Sequence, residues 1–119
     1  MPQIYSSLIK SRYNHPHNAG KLSNPTHTAE HLNPLCGDEI KVYLNIKDGK
    51  IKDISYEARG CMISIAAASV LSEYIKGKSL AEIKKITKKE MDRLLGVTIS
   101  RAREACSTLG LIAIQKTLG

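Results

Sequence analysis

Residues 39–62, "EIKVYLNIKDGKIKDISYEARGCM", decide the fold. Ile40, Val42, Leu44 and Ile46 alternate with Lys41, Tyr43, Asn45 and Lys47, the period of a strand that buries one face. Asp48-Gly49 is a strong short-range hairpin signal, because a two-residue turn of the favoured hand needs positive φ at both positions. Ile54, Tyr56 and Ala58 continue the alternation on a returning strand. Gly60 interrupts it, and the apolar spacing then becomes helical. In "CMISIAAASVLSEYIKGK" (61–78), Ile63, Ala67, Val70, Leu71 and Tyr74 share a face, and Gly77 suits a C-terminal cap.

Further along, Ser79–Glu82 and Thr87–Glu90 have the spacing of capping boxes, and Ile86 with Met91 is placed as a hydrophobic staple. They predict two short helices. Ser100 is placed to cap a last helix, with Ala102, Ala105, Leu109, Ile112 and Ala113 on its inner face. In the other direction, Ile4, Tyr5, Leu8 and Ile9 predict a short amphipathic helix over residues 3–12, ended by Pro16. Residues 15–34, "HPHNAGKLSNPTHTAEHLNP", carry turn formers and little periodicity, and are expected to be a long loop, a feature often tied to function. The pattern predicts one α+β domain over residues 1–119, a small antiparallel sheet packed against about four to five helices.

The core must be aliphatic: there is no Trp or Phe, and the five Tyr are the only aromatic residues. A net charge of +7 favours acidic partners. Basic residues are not interleaved with aromatic ones, which argues against nucleic acid as the partner. No apolar run approaches the ~20 residues of a membrane helix, and the first twenty residues lack the apolar segment of a signal peptide. Three cysteines, an odd count, point to reduced thiols and a cytoplasmic location rather than a disulfide framework.

Those cysteines stand at the ends of the expected elements. Cys36, in "NPLCGDEI" (33–40), precedes the first long strand; Cys61 follows the hairpin; Cys106 lies in the last helix. No local pair with knuckle spacing exists, so a shared site must be assembled by the fold. The hairpin returns Cys61 towards the end where Cys36 and Asp38 enter. At a helix start Cys61 meets the positive end of the helix, where a thiolate is favoured. A free cysteine is often only a small buried hydrophobe, but three of them at element ends beside Asp38 suggest joint ligation. Zinc accepts three thiolates and a carboxylate. A [2Fe–2S] cluster usually takes four thiolates; a carboxylate among them is a harder, more exchangeable ligand. That substitution suits a protein that builds a cluster and hands it on.

These residues resemble the U-type iron–sulfur scaffold family (IscU, SufU and the N-terminal domain of NifU). "NPLCGDEI" is similar to its first motif, "DGKIKDISYEARGCMIS" to its hairpin and second cysteine, "KGKSL" to the helix joint that follows, "RAREACSTL" to the stretch with its third cysteine, and "YNHPHNAG" to its N-terminal element. The resemblance implies a three-stranded antiparallel sheet and ligands Cys36, Asp38, Cys61 and Cys106. It also implies a cysteine desulfurase as sulfur donor and apo iron–sulfur proteins as acceptors, the chain itself being a monomer or weak homo-oligomer. IscU-type proteins have a histidine before the third cysteine, where this chain has Ala105, and a Leu-Pro-Pro-Val-Lys stretch where it reads "VTISRARE". SufU-type proteins have a lysine before that cysteine, preceded by an Arg at the position of Arg103, and an insertion that this chain lacks. His15, His17, His27 and His31 are expected to be solvated loop residues, with His31 the one able to swing towards Cys36.

Two functions follow. In one the protein is a non-catalytic scaffold on which a [2Fe–2S] cluster forms and from which it leaves. In the other it is a zinc-dependent sulfur relay, in which a thiolate leaves Zn²⁺ to attack a desulfurase persulfide. A structural zinc module is the plainest alternative. The basic surface carries an expectation of its own: association with a desulfurase should slow as salt rises from about 50 to about 300 mM. Stopped-flow on-rates check this, and a salt-independent rate would reduce the charge to a solubility device.

Overall fold

In the computed structural model, which describes residues 7–34 and 37–118, the hairpin predicted from residues 39–62 is the middle of the architecture. β2 (Asp38–Lys47) and β3 (Lys50–Arg59) pair antiparallel, and the turn between them has positive φ at both Asp48 (55°) and Gly49 (72°). The register shifts between Asn45 and Ile46. A bulge there adds twist to the sheet, and it leaves Ile46 only partly buried.

β1 (His27–Asn33) pairs antiparallel with β2 on its other side, giving the order β1-β2-β3. This strand lies inside the segment expected to be a loop, and the reason for the difference is its composition. Its inward-facing positions are Ala29, His31 and Asn33, so the buried face carries one small apolar residue, while Leu32 points outward and is 52% exposed. An edge strand of that kind has no hydrophobic alternation to detect; it forms because β2 offers a complete row of hydrogen-bonding partners. The rest of the segment is tied down as well. Asn18 accepts from the Tyr56 amide at 3.2 Å, and the Gly20 amide donates to Tyr56 at 2.8 Å, which fastens the "NAG" turn to the edge of β3.

One face of the sheet buries Ala29, Ile40, Val42, Leu44, Ile54 and Tyr56; the other carries cross-strand charge pairs such as Glu30–Lys41 and Glu39–Arg59. Against the apolar face lies α2 (Met62–Ile75), which also packs on α1 (Ser7–Asn14), α4 (Lys88–Leu95), α5 (Glu104–Ser107) and α6 (Leu109–Leu118). Enclosed in this way, α2 is buried nearly all round rather than on one face. Its contact residues are small: Ser64, Ala66, Ala67, Ala68, Ser69 and Ser72 let neighbouring segments approach closely. Ser69 accepts from Arg12 (3.3 Å) and from the His17 amide (2.9 Å), and Ser72 accepts from Asn18 (3.0 Å). The helix expected over residues 3–12 runs from Ser7 to Asn14 among the described residues, with Ile9 fully buried; Ile4 and Tyr5 lie outside them.

α3 (Leu80–Lys84) begins with the reciprocal capping box expected at Ser79 and Glu82. At α4 only half the box forms. Thr87 accepts from the Glu90 amide at 3.3 Å, but the Glu90 carboxylate accepts instead from the Tyr74 hydroxyl of α2, a tertiary partner that competes with the local one. Ile86 and Met91 are both buried, as a staple requires. The end of the chain departs further from expectation. Ser100 precedes a 3₁₀ turn, Arg101–Arg103, without a side-chain capping bond, and a break at Thr108 separates α5 from α6. Ser107 and Thr108 both donate their hydroxyls to the Glu104 carbonyl, which ends the shorter helix. The break changes the helical phase: Ala102, Ala105 and Ile112 face solvent, and Cys106, Leu109, Ala113 and Ile114 face the core. Among the described residues this makes a three-stranded antiparallel sheet with six α-helices, an α+β fold.

The turn offers a clean measurement. Nothing lies within 4 Å of where a Cβ would sit on Gly49, so Gly49→Ala meets only the backbone cost of its positive φ. It should lower stability by about 1 kcal/mol in urea titration and leave metal binding unchanged.

Candidate metal centre

Three elements end at one point. β2 starts at Asp38, β3 finishes at Arg59, and α2 starts after Cys61, its N-cap residue. α5 crosses the same end of α2 and brings Cys106 to it. The ligand atoms of Asp38, Cys61 and Cys106 consequently lie within 4.8 Å of one another. Cys36 lies outside the described residues. None of the histidines joins this group. His17 is paired with Glu73, His27 contacts Thr26, and His31 lies beside Lys116 on β1, where partial burial and the lysine charge lower its affinity for a proton.

Asp38 is only 3% exposed, unusual for a carboxylate without an obvious cation beside it. Two features hold it. Ser64, one turn into α2, donates its hydroxyl to Asp38 Oδ2 at 2.6 Å. On the other side the carboxylate lies against Gly60, at φ +151°, where a Cβ would stand 2.6 Å from Oδ1 and 2.7 Å from Cγ. A side chain at residue 60 and the carboxylate of Asp38 cannot occupy the same space. The sequence pattern identified Asp38 but neither Ser64 nor Gly60 as its support. Only the spacing of Ser64 three residues after Cys61, which puts both on one helical face, was available as a signal.

Cys61 is half-buried and its Sγ is 3.6 Å from Ser64 Oγ. Cys106 is 1% exposed. Burial, then hydrogen bonding to Asp38 and Cys61, then their negative charges push the Cys106 thiol up to about 12. In the metal-free protein that thiol keeps its proton at neutral pH, first because burial disfavours a thiolate and then because the neighbouring acidic groups do.

The donor set fits a metal. Two sulfurs and a carboxylate oxygen within 4.8 Å can touch one ion at the ~2.3 Å of a Zn–S bond, and a cation would offset the burial and the neighbouring acidic groups that keep Cys106 protonated. Fold and site together define a small α+β protein that presents a thiol–carboxylate centre where a hairpin, a central helix and a C-terminal helix meet.

The profile of the NifU-like N-terminal domain family matches residues 4–119, and the chain belongs to this family. It is 31% identical over 115 residues to the iron–sulfur cluster assembly scaffold protein IscU 1 of Archaeoglobus fulgidus, covering 97% of this chain and 74% of that one. It is 32% identical over 130 residues to the zinc-dependent sulfurtransferase SufU of Bacillus subtilis, covering 95% and 88%. In three dimensions it is similar to the crystal structure of FiSufU from Fervidobacterium islandicum AW-1, assigned to iron–sulfur cluster assembly in the SUF system. There the TM-score is 0.85 and the identity 29%, over 98% of this chain and 97% of that one.

Gly60→Ala tests how the centre is held. It combines an unfavourable φ with a collision against a buried carboxylate, so it should cost about 3 kcal/mol in urea titration and release bound zinc to a chelator faster than wild type. A stability and zinc release equal to those of Gly49→Ala would show that Asp38 moves aside without consequence.

Proposed function

We propose that the whole chain, residues 1–119, is a scaffold on which an iron–sulfur cluster of the [2Fe–2S] type is assembled and from which it passes to apo acceptor proteins. The reading rests on one observation above the others: a buried carboxylate held between two cysteines by a serine hydroxyl and a glycine. The similarity to the Archaeoglobus scaffold over nearly the whole chain supports it. The ligands are Cys36, Asp38, Cys61 and Cys106.

In this reading a cysteine desulfurase delivers sulfane sulfur as a persulfide on one of the cysteines, and ferrous iron enters the site. Two sulfane sulfurs need four electrons to become the two sulfides; two ferrous ions becoming ferric supply two, and an external reductant must supply the other two. The chain's own residues bind and orient. Cys61 supplies a thiolate from the half-exposed mouth; Cys106 gives up its proton when the cation arrives; Asp38 supplies the hard ligand. Because a carboxylate bonds iron less firmly than a thiolate, the Asp38 position opens first to an acceptor's ligand.

A zinc-dependent sulfur relay is the second reading, favoured by the SufU relative and by the absence of a histidine from the described part of the site. Here Cys36, Asp38, Cys61 and Cys106 would hold Zn²⁺, which would keep the thiols ionised, and one thiolate of this chain would attack the outer sulfur of the desulfurase persulfide. The desulfurase S–S bond breaks, a new persulfide forms on this chain, and the desulfurase cysteine departs as thiolate.

Anaerobic purification with iron, sulfide and zinc analysis separates the two. Equal iron and sulfide with visible charge-transfer bands are expected; one zinc without sulfide would support the relay. Cys36→Ser, Cys61→Ser and Cys106→Ser should each lower occupancy sharply, and full occupancy in any one removes that residue from the site. Asp38→Ala should lengthen cluster lifetime and slow transfer to an apo acceptor, since three thiolates remain and the exchangeable position is lost. Decay and transfer equal to wild type would leave Asp38 a turn residue, worth about 1 kcal/mol of hydrogen bonding.

A further inference from the structure

We infer that Ser64 is a positioning residue that sets how easily Asp38 lets go of the cargo. The inference rests on the Asp38 ligand role proposed above. Ser64 is 2% exposed, on the first turn of α2, with its Oγ 2.6 Å from Asp38 Oδ2 and 3.6 Å from Cys61 Sγ.

A serine hydroxyl has one proton. The shorter contact, to a carboxylate oxygen that can only accept, takes that proton, so towards Cys61 the serine oxygen is an acceptor. When Cys61 is a thiolate bound to metal, the Ser64 proton still belongs to Asp38. One lone pair of Oδ2 is therefore engaged whether or not the site is loaded, which makes Oδ1, the oxygen on the Gly60 side, the stronger donor. Two consequences follow from the chemistry. One-oxygen ligation is favoured over two, because the second oxygen already shares electron density with the Ser64 proton. A charge-assisted hydrogen bond also draws electron density from the carboxylate and weakens its bond to the cation. Exchange at the Asp38 position replaces one bond with one bond: the Oδ1–metal bond breaks, an incoming thiolate takes its place, and the freed carboxylate keeps its hydrogen bond to Ser64 instead of standing bare in a buried site.

The role has a sign that distinguishes it from packing. Ser64→Ala removes the donor, frees Oδ2 and restores donor strength to Asp38. It should slow zinc release to a competing chelator, and cluster transfer to an apo acceptor, roughly fivefold, the factor that corresponds to one hydrogen bond. The same variant in metal-free form should unfold at lower urea than wild type, since it leaves a buried carboxylate without its donor. If Ser64 were only structural, that loosening would make release faster. Ser64→Thr, which keeps the hydroxyl, should return both rates towards wild type.

Zinc release in Ser64→Ala as fast as wild type or faster overturns the inference, and so does a slowed rate that threonine leaves uncorrected. The zinc measurement needs no iron or sulfide. A wild-type chain that takes up zinc and never a cluster would defeat the scaffold reading, while the zinc rates would still decide the part played by Ser64.

Discussion

The carboxylate of Asp38 sits where water barely reaches, and the surrounding structure is organised to let it. A buried charge without partners costs several kcal/mol, so the site must supply a donor, space and a field of the right sign. Ser64 supplies the donor at 2.6 Å. Gly60 supplies the space, by having no side chain at a position where a Cβ would lie inside contact distance of Cγ. The start of α2, immediately after Gly60 and Cys61, contributes the positive end of a fourteen-residue helix. Each of these depends on β3 ending and α2 beginning directly beside the first residue of β2.

That juxtaposition depends on α2 being narrow. Its alanines and serines allow the sheet, α1, the 15–20 segment and the C-terminal helices to enclose it on all sides. The serines then supply hydrogen bonds that an all-alanine helix would lack, to Arg12, His17 and Asn18 along its length and to Asp38 at its end. Positioning the candidate metal centre and packing the core are in this sense one arrangement of small residues.

The chemistry of the centre follows from crowding. Asp38 and the two described cysteines lie within 4.8 Å of one another, and the Cys106 thiol among them is pushed up to about 12 by burial and by its two neighbours. A cation would favour the Cys106 thiolate, so loading and release of its proton would be linked. In the proposed scaffold, loading would release the Cys106 proton at a cost that the metal–thiolate bond offsets, and unloading would go through the one ligand that is not sulfur.

Much of this was legible in the sequence where local physics decides it. The Asp48-Gly49 turn, the alternation of Ile40, Val42 and Leu44, the Ser79–Glu82 box and the helix after Gly60 each depend on residues within a few positions of one another, and the structure has them all. The family motifs around Asp38, Cys61 and Cys106 were legible for the same reason, since each is a short contiguous stretch. Tertiary structure alone decided the rest. β1 exists because β2 had an edge to pair, not because "HTAEHLN" has a strand's pattern. The inner face of the last helix was set by a break at Thr108 that rotated its phase. The hydroxyl of Ser64 found Asp38, twenty-six residues away in the chain, because the hairpin and α2 pack end to end. A hydrogen bond between residues so far apart leaves no periodicity in the sequence; it is specified only by the distance at which two packed elements come to rest.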